Sequence, residues 1–260
     1  MRGISVLDPT FSRDGKWMAY RSYPDYTLWR SRADGSDRLQ LTYTPMEAIY
    51  PQISPDGTRV AFSTPEGILY VVNMNGGAPQ RLCDNAWGPG WSPEANRVAF
   101  TSVVSGRNFG EKGFYQTRVL DLRDRDISVI PDSEDTVGAF FVEGDSLVAA
   151  KVGQGNSKFI LFNLKRNEKS VLAETENGFV NWAPSLDGKY LYCTTAGNDP
   201  KALRLRISDR AVEPIASLKD LRMVDAPYVN TSADVAPDGS MLFTRDIGTQ
   251  EIYALTVKWP

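Results

Sequence analysis

No histidine occurs in the 260 residues. That absence excludes Ser-His-Asp and Cys-His nucleophilic machinery, histidine-ligated zinc and imidazole acid–base catalysis. Only chemistry run by carboxylates or lysines is left. Cysteine is nearly missing as well: Cys83 and Cys193 are the two, each in or beside an apolar stretch, and they are expected as buried, reduced thiols. No run approaches the 18 apolar residues of a membrane helix. Met1–Asp8 lacks the apolar core of a signal peptide, so the chain is expected to be soluble, with its compartment left open. Charge of one sign is missing too. The net charge is −3 and no five like charges adjoin, so there is no basic face to replace phosphate counterions and no nucleic-acid partner is expected. Arg118, Arg123 and Arg125 read as a solvated loop and strand edge.

What is present is punctuation and repetition. The 16 prolines and 21 glycines are scattered among short apolar runs, as suits many strands joined by turns. Ser12-Arg13-Asp14-Gly15 leads into Lys16–Tyr20, and Ser54-Pro55-Asp56-Gly57 leads into Thr58–Phe62. The same unit returns as Ser92-Pro93-Glu94-Ala95 before Asn96–Phe100, as a worn Val142-Glu143-Gly144-Asp145 before Ser146–Ala150, as Ser185-Leu186-Asp187-Gly188 before Lys189–Cys193, and as Ala236-Pro237-Asp238-Gly239 before Ser240–Thr244. Intervals between the turn glycines or their equivalents run from 38 to 51 residues, the period of propeller blades. Proline presets φ at the first turn position, aspartate bonds its own backbone, and glycine accepts positive φ.

Third strands follow at 27–31, 68–73, 117–122, 159–164, 202–207 and 251–255, and fourth strands at positions such as 37–42 and 79–82. The pattern predicts an all-β fold: one six-bladed β-propeller of four-stranded antiparallel blades over residues 1–260. The blades are expected near 8–43, 50–84, 88–131, 137–173, 180–217 and 231–257. Because the last unit ends soon after its third strand, residues 2–7 are expected to supply its outer strand beside 251–257, closing the ring and hiding two edges. A closed ring needs no second copy, so a monomer is expected. Cys83 and Cys193 fall in blades two and five, too far apart to pair.

These Ser-Pro-Asp-Gly copies followed by Arg/Lys-x-x-aromatic resemble the repeats of the TolB-like propellers, relatives of WD-type repeats. The stretches Leu28–Thr42 and Arg245–Leu255 are similar to the C-terminal part of bacterial sensor-like proteins that attach a propeller to a winged-helix or Ser/Thr kinase domain. The resemblance implies a recognition or sensor domain that binds a protein or peptide, within a larger regulatory protein. It also implies a periplasmic location if a segment precedes this chain. No catalysis, metal or cofactor is expected. The alternative is a carboxylate- or metal-dependent hydrolase or lyase acting on a glycan or lactone in the channel.

In a propeller the residues just before each innermost strand face one mouth of the channel. Tyr50, Trp87, Trp182 and Asn230 are therefore candidates, with Tyr26, Asn108, Asn198 and Asp246 from the loops between second and third strands. An aromatic-plus-amide rim offers flat apolar area with a few hydrogen-bonding groups. Trp87 and Trp182 also suit packing between blades. The aspartates of the repeat turns are assigned to the fold. Asp121–Asp126 lacks the glycine of a calcium loop, and Gly153–Lys158 lacks the full phosphate-loop pattern.

Overall fold

In the computed structural model the described residues are 5–106, 112–142, 145–151, 157–175, 178–221, 234–236 and 238–242. They form five four-stranded antiparallel blades, each laid down in chain order from the innermost strand outward. The first comprises β1 (Ser5–Phe11), β2 (Trp17–Tyr23), β3 (Leu28–Arg32) and β4 (Leu39–Gln40); the second β5 (Ile49–Ile53), β6 (Arg59–Ser63), β7 (Ile68–Asn73) and β8 (Gln80–Asp84). The third has β9 (Trp87–Trp91), β10 (Arg97–Val103), β11 (Tyr115–Asp121) and β12 (Ile127–Val129). The fourth has β13 (Thr136–Phe141), β14 (Ser146–Lys151), β15 (Ser157–Asn163) and β16 (Glu168–Thr175). The fifth has β17 (Phe179–Pro184), β18 (Tyr190–Thr195), β19 (Lys201–Arg206) and β20 (Val212–Ser217).

Two expectations are corrected. The blade count is five, not six: the last repeat contributes only the two-stranded sheet of β21 (Asp234–Val235) and β22 (Met241–Leu242) among the described residues. Nor is the ring closed by a strand from the N-terminus. Of the residues expected to close it, 2–4 lie outside the described residues and 5–7 belong instead to β1, the inner strand of the first blade, where Ser5 pairs with Tyr23 and Leu7 with Arg21. The dipeptide Asp8-Pro9 lies where the first expected blade begins. It is a bulge within one continuous strand, with Asp8 at φ 48° and the register shifting between Leu7 and Thr10. Pairing with β2 across the tight turn that follows is local, and it uses the edge that a closing strand would need. The expected third strand at 251–257 lies outside the described residues. Between blades five and one stand β21 and β22, and the backbone N–H of Phe11 donates to the Asp234 carboxylate at 3.2 Å.

The repeat turn explains why each hairpin forms. Ser54 Oγ donates to Asp56 at 2.5 Å, Thr58 N–H donates to the same carboxylate, and Arg59 N–H donates back to Ser54 Oγ. Gly57, at φ 71°, donates its N–H to the Ser54 carbonyl. The Ser12–Trp17 and Ser185–Tyr190 copies repeat this network without a proline, so the serine and aspartate define the turn. The Ser12 hydroxyl chiefly lowers the pKa of Asp14, and the Ser185 hydroxyl that of Asp187.

Strands after the turn are apolar at successive positions because both faces are covered. Val60 and Phe62 pack toward blade one, whereas Ala61 faces blade three. Val98 and Phe100 face blade two, and Ala99 faces blade four. Leu147 and Ala149 split from Val148 and Ala150 in the same way. The core is thus a set of wedges between neighbouring blades, and a side chain's neighbour alternates with strand period.

Candidate functional site

The inner strands β1, β5, β9, β13 and β17 are interrupted at corresponding points. Register shifts occur at Leu7/Thr10, Ile49/Gln52, Trp87/Gly90 (opposite Thr101/Ala99 of β10), Val137/Phe140 and Phe179/Asn181. Four of these bulges carry a residue with positive φ: Asp8 at 48°, Tyr50 at 54°, Gly88 at 63° and Gly138 at 60°. A bulge bends its strand and re-aims the local side chain. All four residues line one cavity of about 550 Å³ at the mouth where the inner strands begin. Its walls carry Trp87, Phe114, Tyr115, Phe140, Val180 and Trp182. A second cavity of about 290 Å³ opens at the other mouth and shares Gln52, Phe140 and Asp234 with the first.

Of the sequence-predicted residues, Tyr50, Trp87 and Trp182 come together on the larger cavity. The two tryptophans also pack between blades. Trp182 Nε1–H donates to the Gly138 carbonyl at 2.7 Å, and its ring meets Phe159 edge-on at 5.6 Å. A Cβ at Gly67 would stand 2.2 Å from the Trp87 ring, and one at Gly138 2.5 Å from the Trp182 ring. Glycine at these two positions lets the indoles lie flat on the preceding blade. Tyr26 does not line the cavity: it stacks on the Arg21 guanidinium, 5.1 Å from the ring centre. Asn198 is exposed in the loop after β18 and is likewise apart from it. Asn108, Asn230 and Asp246 lie outside the described residues.

Sequence reasoning missed the carboxylates on the passage. Asp8 is buried and ion-paired with the equally buried Arg21 at 2.5 Å. Asp234 lines both cavities. Its Oδ2 accepts from Phe11 N–H at 3.2 Å and its Oδ1 from Val235 N–H at 2.8 Å. Burial pushes its pKa up to about 6, against the opposing effect of bonds from Val235, Thr10 and Phe11. The signal that could have located the cavity is a recurring dipeptide at the head of an inner strand: Asp8-Pro9, Tyr50-Pro51 and Gly88-Pro89. Proline removes a ladder donor there, as a bulge allows.

Both thiols are free. Burial raises the pKa of Cys83 to about 11 and that of Cys193 to about 12. Among the described residues no group of three His, Cys, Asp or Glu is placed to hold a metal ion, and no helix is long and apolar enough to cross a membrane.

A family model described as the TolB beta propeller domain matches residues 3–219. An uncharacterized protein of Agrobacterium fabrum is 27% identical over 111 residues, which are 35% of this chain and 38% of that protein. The chain thus matches well under half of the curated relative's length. A solved structure of a candidate TolB from Agrobacterium tumefaciens superposes with a TM-score of 0.75 at 16% identity, covering 94% of this chain and 91% of that one. An oligogalacturonate lyase solved in complex with manganese gives 0.60 at 13% identity, covering 94% and 88%. At such identities the two structures show a shared fold.

Proposed function

The chain belongs to the TolB β-propeller family, and on that footing we propose that it is a non-enzymatic recognition module that binds a protein or peptide segment at the mouth where the inner strands begin. The observation that carries this reading is the 550 Å³ cavity, built by bulges and walled by six aromatic side chains and Val180. Aromatic area beside a few fixed polar groups is what anchors a partner's side chains. The likeness of Leu28–Thr42 and Arg245–Leu255 to sensor proteins supports placing it within a larger bacterial regulator.

A lyase or hydrolase would need converging acids in the passage. Of the described residues on the larger cavity, Asp8 is ion-paired with Arg21 and Asp234 is the other carboxylate, with no third acid grouped with them to hold a metal ion. The shared fold with the lyase therefore does not favour the enzymatic alternative over recognition.

The test places a photo-crosslinking residue at Val180, a 38% exposed apolar side chain on the cavity, and in parallel at Val171 on the outer strand β16. Capture of a defined peptide sequence from a random library at 180 and not at 171, abolished by Tyr50→Ala, is expected. Equal capture at both positions, or turnover of oligogalacturonate by the purified chain, would overturn the reading.

A further inference from the structure

Resting on the recognition reading above, we infer that the passage selects a basic side chain: the alkyl stem of a partner's lysine or arginine lies along the aromatic wall and its cation meets the Asp234 carboxylate.

The geometry is asymmetric in charge. Among the described residues, the elements packed most closely around β21 are β1, β17 and β22. Of these, β17 and β22 carry no ionisable side chain, and β1 brings Asp8, already held by Arg21. Tyr50 and Tyr115 are the other titratable groups on the larger cavity, and exposed Arg13 and Asp187 lie at the far mouth. No charged neighbour among the described residues contributes to the perturbation of Asp234, which is dominated by desolvation. Among the described residues its donors are Phe11 N–H, Val235 N–H and the Thr10 hydroxyl. A carboxylate offers about four lone-pair directions, more than these described donors occupy. A desolvated carboxylate with no countercharge among the described residues is costly, and an entering cation offsets that cost.

The wall suits the rest of such a residue. Lysine and arginine stems lie along apolar surface while the charged end reaches a polar partner. Trp87, Trp182 and Phe140 border the route to Asp234, and aromatic faces attract a passing cation. A carboxylate at the end of an aromatic passage discriminates against a neutral side chain of equal length.

The experiment titrates the intact chain with small probes and follows the indole N–H signals of Trp87 and Trp182 by NMR. The probes are Nα-acetyl-lysine methylamide, Nα-acetyl-arginine methylamide, and Nα-acetyl-norleucine methylamide as the neutral match. Leucine amide with a free amine separates an N-terminal ammonium from a side-chain cation. The lysine and arginine probes are expected to bind at least ~10-fold tighter than norleucine at pH 7.5, a gap of about 1.4 kcal/mol. That preference should shrink several-fold by pH 5 in the unaltered protein, and vanish in Asp234→Asn. The free-amine probe is expected to bind no tighter than norleucine; if it matches lysine, the side-chain assignment is overturned in favour of a peptide terminus. Equal binding of lysine and norleucine overturns the cation site while leaving the aromatic cavity as a recognition surface. Shifts by no probe overturn both. The pH series on the unaltered chain keeps the outcome readable even if Asp234→Asn unfolds.

Discussion

Substituting Gly90→Ala tests the spacing of the inner strands directly. Gly90 lies in β9 with no positive φ among its constraints, so the added methyl acts through sterics alone. The new Cβ would stand 2.3 Å from the Ala139 carbonyl oxygen and 3.2 Å from the Phe140 Cα, both backbone atoms of β13. Van der Waals contact needs a gap nearer ~3.3 Å, and backbone cannot swing aside as a side-chain tip can. Blades three and four must therefore part by about 1 Å at the channel, loosening the wedge that holds Ala99, Ala139 and Phe141. Overpacking of this kind costs ~1–3 kcal/mol and more where the neighbour is rigid. At ~2–4 °C per kcal/mol for a domain of this size, the melting temperature should fall by about 6–12 °C in calorimetry for a loss of ~3 kcal/mol. Gly57→Ala is the control: nothing lies within 4 Å of its Cβ, but its φ is +71°, so its cost of ~1 kcal/mol is the left-handed backbone alone. A Gly90→Ala protein that melts no lower than Gly57→Ala would refute close inner-strand approach as what fixes the blade spacing.

Other outcomes follow from named groups. Arg21→Met leaves the buried Asp8 carboxylate without its partner and should cost ~3–5 kcal/mol in urea unfolding; the Asp8→Asn/Arg21→Met double variant should recover part of that loss. Because the folded pKa of Asp234 is raised above 3.8 to about 6, its ionised form disfavours the folded state. Stability should therefore decline as pH rises from about 4 through 6, and Asp234→Asn should flatten that slope by ~1–3 kcal/mol between pH 4 and 8. The turn aspartates behave oppositely. Asp14 and Asp187 have depressed folded values, so their contribution is present above pH 3.8 and lost on further acidification, and Ser185→Ala should weaken it in an acid-unfolding curve. Both thiols should resist a disulfide exchange reagent at pH 8 in the native state and react together once unfolded, because the thiolate is the reactive form.

The sequence by itself determined the local unit. Ser-x-Asp-Gly turns reverse the chain through a side-chain network contained within six consecutive residues, as Ser54–Arg59 shows. The alternation of Val60, Ala61 and Phe62 fixes which blade each side chain faces. The absence of histidine likewise belonged to composition alone. The tertiary structure decided what depends on distant partners. Residues 2–7 are expected from the sequence to complete the last blade because its repeat ends soon after a third strand, whereas pairing with β2 places 5–7 in the first blade, with a bulge at Asp8. The blade count was overestimated because a turn motif at Ala236–Ser240 signals a hairpin, not the four strands of a complete blade. Of the eight rim candidates, Tyr50, Trp87 and Trp182 reach the cavity, while Tyr26 is drawn to Arg21. Asp234 became conspicuous only when strands more than 200 residues apart in the chain came side by side. Desolvation is a property of such an enclosure, and no local pattern of residues encodes it.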